Sequence, residues 1–255
     1  MNILKNKLTK SIVAACLSLS LGTSVSTQSY AQDVGPALKP IFLDTCSAGQ
    51  RKVLLKAYDN FSLMLDDALN GATEEFDSVE FRESFGTDDN DPGHDFEVLG
   101  RLLLLRMGAN LLQMEVSCLP DGDPECDGGV VAYVPDQKLT ERRFEHRINF
   151  CPTFFNATQA HVQNISAWTK VSEYQGGTIM HEHAHLSWAT KELLEKAGMK
   201  PASWVKDQEK AVDLGYNVAG VKKLAKEDPA EAILNADAYH MFVMRLAIRK
   251  GKIYK

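Results

Sequence analysis

The sequence predicts an α+β fold, mainly helical with a small sheet. Three observations carry this. From Gln50 to Leu69 the apolar positions Val53, Leu54, Ala57, Phe61, Leu65 and Leu69 recur at helical spacing. Val130-Val131-Ala132-Tyr133-Val134 and Arg147-Ile148-Asn149-Phe150 are short strand-like runs set among turn residues. The flanks Thr178-Ile179-Met180 and Leu186-Ser187-Trp188-Ala189 suit a helix packed into a core, and between them stands His181-Glu182-His183-Ala184-His185.

In chain order, the first segment reads as a secretory signal peptide. Lys5, Lys7 and Lys10 form a basic start, Ile12 to Leu21 a short apolar run, and Ser29-Tyr30-Ala31 a cleavage site. Val13-Ala14-Ala15-Cys16 only faintly resembles a lipoprotein box, because the apolar run continues past Cys16. Residues 1–31 are therefore expected to be removed, leaving 32–255 as one domain that is secreted, or periplasmic in a Gram-negative host. Residues 33–45, with Pro36 and Pro40, read as an extended leader. The first helix follows at Gln50–Leu69. Residues 71–93 are acidic, with Gly86, Pro92 and Gly93, and read as a loop-rich insertion in which Asp88-Asp89-Asn90-Asp91 is a solvated turn rather than a calcium loop. A second helix is expected over Asp95–Glu115. Turns at Asp121-Gly122-Asp123-Pro124 and Asp127-Gly128-Gly129 introduce the two strands. Pro152 to Ser166 is irregular or helical. Gly176 and Gly177 are read as preceding the helix of the histidines.

Composition excludes some classes. The net charge is −6 and is spread along the chain, which offers no nucleic-acid surface. No other apolar run spans a bilayer, so no membrane partner is expected, and the protein is expected to act as a monomer. Of five cysteines, Cys46, Cys118, Cys126 and Cys151 lie beyond the signal. An even number in an exported chain argues for two disulfides, with three pairings open. The sequons at Asn60, Asn156 and Asn164 matter only in a eukaryotic host.

The chemistry centres on His181, Glu182 and His185. Residues four apart share one helix face, so His181 and His185 can bind one Zn²⁺ and leave a position for water. Glu182 is placed to accept a proton from that water. His183, about 200° round the helix, faces away and reads as a surface or supporting histidine. The pattern points to a metal-dependent hydrolase, most naturally a peptidase. The alternative is a secreted zinc-binding effector or binding protein without turnover; the intact Glu182 argues against it, since a structural site has no use for that base.

A catalytic zinc usually has a third protein ligand. Leu186 to Gly198 holds no histidine, and Glu192, Glu195 and Glu209 have no distinguishing context. Asp213-Leu214-Gly215-Tyr216-Asn217 resembles the G-T-x-D-x-x-Y-G element of the deuterolysin-like metallopeptidases, the aspzincins. Ala232-Ile233-Leu234-Asn235-Ala236-Asp237-Ala238-Tyr239 resembles that family's late helix, and Arg147 to Phe155 its segment around a half-cystine. The resemblance covers roughly Cys46 to Met244. It implies a zincin-like metallopeptidase fold with the sheet beside the cleft, zinc endopeptidase activity on proteins or peptides, and one zinc per chain held by His181, His185 and Asp213. It also implies that Tyr216 donates a hydrogen bond to the developing oxyanion, and that Cys46 pairs with Cys118 and Cys126 with Cys151. Two departures stand out: Lys210-Ala211 replaces Gly-Thr, and Asn217 replaces the last Gly. Asp237 is the rival ligand; its other reading is a helix acid that supports a zinc-binding imidazole. Tyr239 and His240 read as packing or support.

Overall fold

The computed structural model describes residues 37–70, 72–87, 93–135, 146–158, 162, 170–186 and 211–251. The expected signal peptide, the Asp88–Asp91 turn, and Glu192, Glu195 and Glu209 lie outside the described residues.

Helix α1 spans Ala48–Leu69 and starts at a capping box. The Ser47 side chain accepts from the Gln50 N–H while the Gln50 side chain accepts from the Ser47 N–H. Its predicted stripe is the buried one: Leu54, Ala57, Phe61, Leu65 and Leu69 enter the core and Val53 packs at its edge. The insertion expected after it is more ordered than its composition suggests. A 3-10 turn at Ala72–Glu75 leads into helix α2, Val79–Phe85. Ser78 caps α2 by accepting from the Phe81 N–H. Phe81 and Phe85, four apart, then bury one aromatic face against Phe242 and Tyr239. The two acidic residues on this short helix, Glu80 and Glu83, are partly buried and ion-paired, Glu80 with Arg249 and Glu83 with Lys222 and Arg245.

Helix α3, His94–Leu111, ends before the predicted Glu115, because Glu115–Cys118 forms strand β2 instead. Strand β1, Ile41–Phe42, lies within the segment read as an extended leader. With β3 (Ala132–Tyr133) and β4 (Arg147–Phe150) these make a four-stranded sheet in the order β1-β2-β4-β3. β1 and β4 both run parallel to β2, and β3 pairs antiparallel with β4 at an edge. Two disulfides fix this layer, Cys46–Cys118 and Cys126–Cys151, the pairing the resemblance implied. A one-turn helix α4, Pro152–Phe155, follows.

Helix α5, Val171–His185, is buried almost all round. Gly176 and Gly177 do not precede it but lie inside it. A Cβ on Gly176 would meet Met64 Cε of α1 at 2.7 Å, and one on Gly177 would meet His240 Nε2 at 2.0 Å. The glycines are there to let two helices approach. The second of those helices is α8, Ala236–Arg249, which is preceded by α6 (Asn217–Glu227) and the short α7 (Pro229–Ala232). The sequon at Asn60 is closed by this packing: Asn60 is buried and its amide donates to Ser172 O. No helix among the described residues is long and apolar enough to cross a membrane.

Candidate metal centre and active site

The last two turns of α5 carry His181, Glu182 and His185. His185 Nε2 lies 3.2 Å from His181 Nε2. Asp213 Oδ1 lies 3.2 Å from His181 Nε2 and 3.3 Å from His185 Nε2. Among the described residues these three side chains form the one His, Cys, Asp or Glu group able to hold an ion. An ion at the usual ~2.0–2.1 Å from each of three donors, at tetrahedral angles, sets those donors about 3.3–3.4 Å apart. The triangle has that size, so the donor set fits zinc in both chemistry and spacing.

Each imidazole is held from behind. His181 Nδ1 bonds Asp237 Oδ1 at 2.8 Å, and His185 Nδ1 bonds Ala211 O at 2.8 Å. Both Nδ1 atoms are therefore donors and both Nε2 atoms are free to ligate. Asp237 stands behind His181, in the supporting position that was its other reading. Its Oδ2 also accepts the Asn217 N–H at 3.1 Å. Asn217 has φ 59°, the left-handed backbone that the family's glycine would adopt and that asparagine tolerates. Ala211, where the family has threonine, contributes its carbonyl rather than a hydroxyl.

Asp213 reaches the histidines because its loop is stitched at both ends. The Ala211 N–H donates to Ala184 O at the end of α5. Val212 pairs with the chain before α8, its N–H donating to Leu234 O and its carbonyl accepting from Ala236. Asn235, fully buried, then clamps the bend. Its Oδ1 accepts from the Leu214 and Gly215 N–H groups, and its Nδ2 donates to Gly215 O. Burial alone would raise Asp213, but its hydrogen bonds to His181 and His185 hold it well below the usual carboxylate range. Burial likewise lowers His181, yet Asp213, Asp237 and Glu182 together push it well above its ordinary value. Three carboxylates around two imidazoles make a site that a dication complements.

Glu182 is 4% exposed, and burial raises its carboxyl above its usual value although both histidines oppose this. It also accepts a hydrogen bond from the Val134 N–H, next to edge strand β3. Tyr216, at 61% exposed, stands at the mouth. Burial of its hydroxyl and then the hydrogen-bonded Asp213 carboxylate push it up to about 12.

The family model described as lysine-specific metallo-endopeptidase, Aspzincin M35, matches residues 77–244, more than half of the chain. The chain is an aspzincin. It is thus a zinc metalloendopeptidase by family, and its mostly helical build with a small mixed sheet is the aspzincin fold. Among solved structures, a zinc peptidase from Grifola frondosa is similar at 18% identity and a TM-score of 0.52, over 78% of this chain and 97% of that one; this likeness shows the fold. Among curated proteins, none matches the sequence closely.

Of the two readings of His183, surface or supporting, the structure excludes the first. His183 does face away from the other two histidines, but it is not a surface residue: it is 3% exposed, stacked on Phe61 with ring centroids 4.8 Å apart. Tyr239 and His240 are packing and support as read. The Tyr239 hydroxyl donates to Ile233 O, and His240 fills the notch left by Gly177. Three contributors escaped the sequence reading in this aspzincin. Asn235 was visible only as a letter of the late-helix signature, while Val134 and Ala211 act through their backbones, which no side-chain pattern reports.

Proposed function

We propose that this chain is a secreted zinc endopeptidase in which His181, His185 and Asp213 hold one zinc ion, Glu182 is the general base and Tyr216 assists at the carbonyl. The observation that carries this is the triangle of three donor atoms with 3.2–3.3 Å edges, its two imidazoles fixed from behind. Zinc, when bound, supplies Lewis acidity that makes water acidic near neutral pH and polarises a carbonyl.

The protein's own groups do the rest. Asp237 and Ala211 O hold the Nδ1 proton of each imidazole, so that Nε2 is the ligating atom. Glu182, whose carboxyl burial raises above its usual value, accepts a proton from the attacking water and returns it to the leaving amine. The Val134 N–H orients that carboxylate. Tyr216 donates to the carbonyl oxygen as negative charge builds there, a role the resemblance assigns and the place of its hydroxyl beside Asp213 suits. β3 offers an edge strand beside Glu182, along which an extended peptide can add by backbone hydrogen bonds. Secretion is supported by the leader of residues 1–31 and by two disulfides, which persist in oxidising compartments.

Casein hydrolysis, followed with and without a chelator and in Glu182→Gln, tests the proposal. Wild type should cleave and stop when chelated. Glu182→Gln should keep its zinc and lose turnover by about 10³-fold or more, since ligands remain while the base goes. Zinc binding without proteolysis in the wild type would favour the binding-protein reading instead.

A further inference from the structure

Behind Glu182 the packing of α1 against α5 buries polar groups that none of these roles uses. Tyr58 on α1 and His183 on α5 are 5% and 3% exposed. Their rings meet edge to face with centroids 5.9 Å apart. Yet Tyr58 Oη and His183 Nε2 are both buried with no hydrogen-bond partner among the described residues. A buried hydroxyl or imidazole nitrogen left this way is costly, and proteins meet such atoms with an internal water that makes two to four hydrogen bonds.

Two such atoms on touching rings supply two of the polar partners a buried water needs. A third belongs to Glu182. Its carboxylate has lone pairs beyond the one used by Val134. Its field reaches Tyr58: burial first, then Glu182, pushes the phenol above its ordinary range. His183 is the neighbour of Glu182 on α5, and Tyr58 faces it from α1.

We propose that Tyr58 and His183 hold a buried water behind Glu182, and that through this water Tyr58 is a positioning residue for the Glu182 carboxylate, an inference that rests on the base role given to Glu182 above. The Tyr58 hydroxyl donates to the water. The water donates one hydrogen to Glu182 and the other to His183 Nε2, which fixes His183 as the Nδ1–H tautomer. Tyr58 never touches substrate or metal; it holds one rotamer of the base in place.

A high-resolution crystal structure of the zinc-loaded protein, paired with kinetics of Tyr58→Phe, tests this. The structure should show an ordered water at hydrogen-bond distance, about 2.7–3.0 Å, from both Tyr58 Oη and His183 Nε2. Tyr58→Phe keeps the ring and its packing, so one zinc per chain and the melting temperature should be retained. Its kcat should fall on the order of tenfold, with KM within about twofold, as expected when an outer partner of a catalytic group is removed. A purely structural tyrosine would move melting and leave kcat alone. Absence of density between the two atoms, or an unchanged kcat in Tyr58→Phe, overturns the proposal. An inactive wild type that shows the water sinks the peptidase reading and leaves the water site standing.

Discussion

Asn235 decides where Asp213 goes. With its side chain fully buried, it makes three hydrogen bonds to the backbone of Leu214 and Gly215 and so sets the bend that follows the carboxylate. Asn235→Ala removes all three and leaves backbone groups unpaired, which should cost about 1–3 kcal/mol in denaturant unfolding and weaken zinc binding. Unchanged zinc affinity in that variant would show that the bend holds without the clamp. Tyr216 behaves differently, because it is exposed and packs little. Tyr216→Phe should unfold like the wild type and keep its metal, while kcat falls about 10²–10³-fold, the usual loss for an oxyanion donor. Full turnover would take Tyr216 out of the chemistry. At this scale the sequence was legible where side chains act in a pattern. His181, Glu182 and His185 follow from helical spacing alone. His183 did not, since its angle round the helix says which way it points but not that Phe61 waits there.

At the scale of elements, packing distances separate the glycines that matter from those that do not. Gly49 near the start of α1 has nothing within 4 Å of an added Cβ, whereas Gly177 would place one 2.0 Å from His240. Gly49→Ala should be neutral or slightly stabilising. Gly177→Ala should destabilise by about 1–3 kcal/mol through overpacking and should weaken zinc binding as well, because the His181–Asp237 bond crosses the same seam between α5 and α8. Thermal melts and metal titrations of the pair read this directly. The disulfides close loops of unequal length, with separations of 72 and 25 residues. On chain entropy Cys46–Cys118 should contribute about 4.4 kcal/mol and Cys126–Cys151 about 3.5 kcal/mol, so Cys118→Ala should be the more damaging of the two single deletions. The elements the sequence hid are the short ones. β1 and β2 have two and four residues and gain their identity only from partners distant in sequence, and α2 has too few turns for its Phe81–Phe85 face to show as a period. The long α1 was readable because its stripe repeats over many turns.

At the scale of the whole molecule, buried histidines make stability depend on pH. Burial lowers His146, holds His183 down to about 3 and His240 to about 4, against an ordinary value of 6.5. Each is neutral when folded and takes a proton more readily when unfolded. The unfolded state therefore gains protons first, and stability falls as pH drops below about 6.5, by roughly 1 kcal/mol per pH unit for each fully buried imidazole. In metal-free protein His181, Glu182 and Asp66 run the other way, since their folded values are raised, but His181 gains nothing further once pH is below about 6.5, where the three buried rings begin to act. Unfolding free energy should thus decline from pH 7 to pH 5; a flat profile would mean that these rings are hydrated in the native state. The overall architecture was legible in outline because the ordered set of segments from Cys46 to Met244 resembles one family. The meeting of α5, the Asp213 loop and α8 was implied by that resemblance, but how it is made was not legible, because it rests on backbone pairing across Val212 and Asn235. That meeting carries the central claim of the proposal: Asp213 is the third zinc ligand and Asp237 stands behind His181. Zinc titration of Asp213→Ala and Asp237→Ala tests this most directly. Asp213→Ala should lose far more affinity than Asp237→Ala, whose loss should be on the order of 10–100-fold as for an outer partner. Normal zinc binding by Asp213→Ala, with binding abolished in Asp237→Ala, would contradict the account.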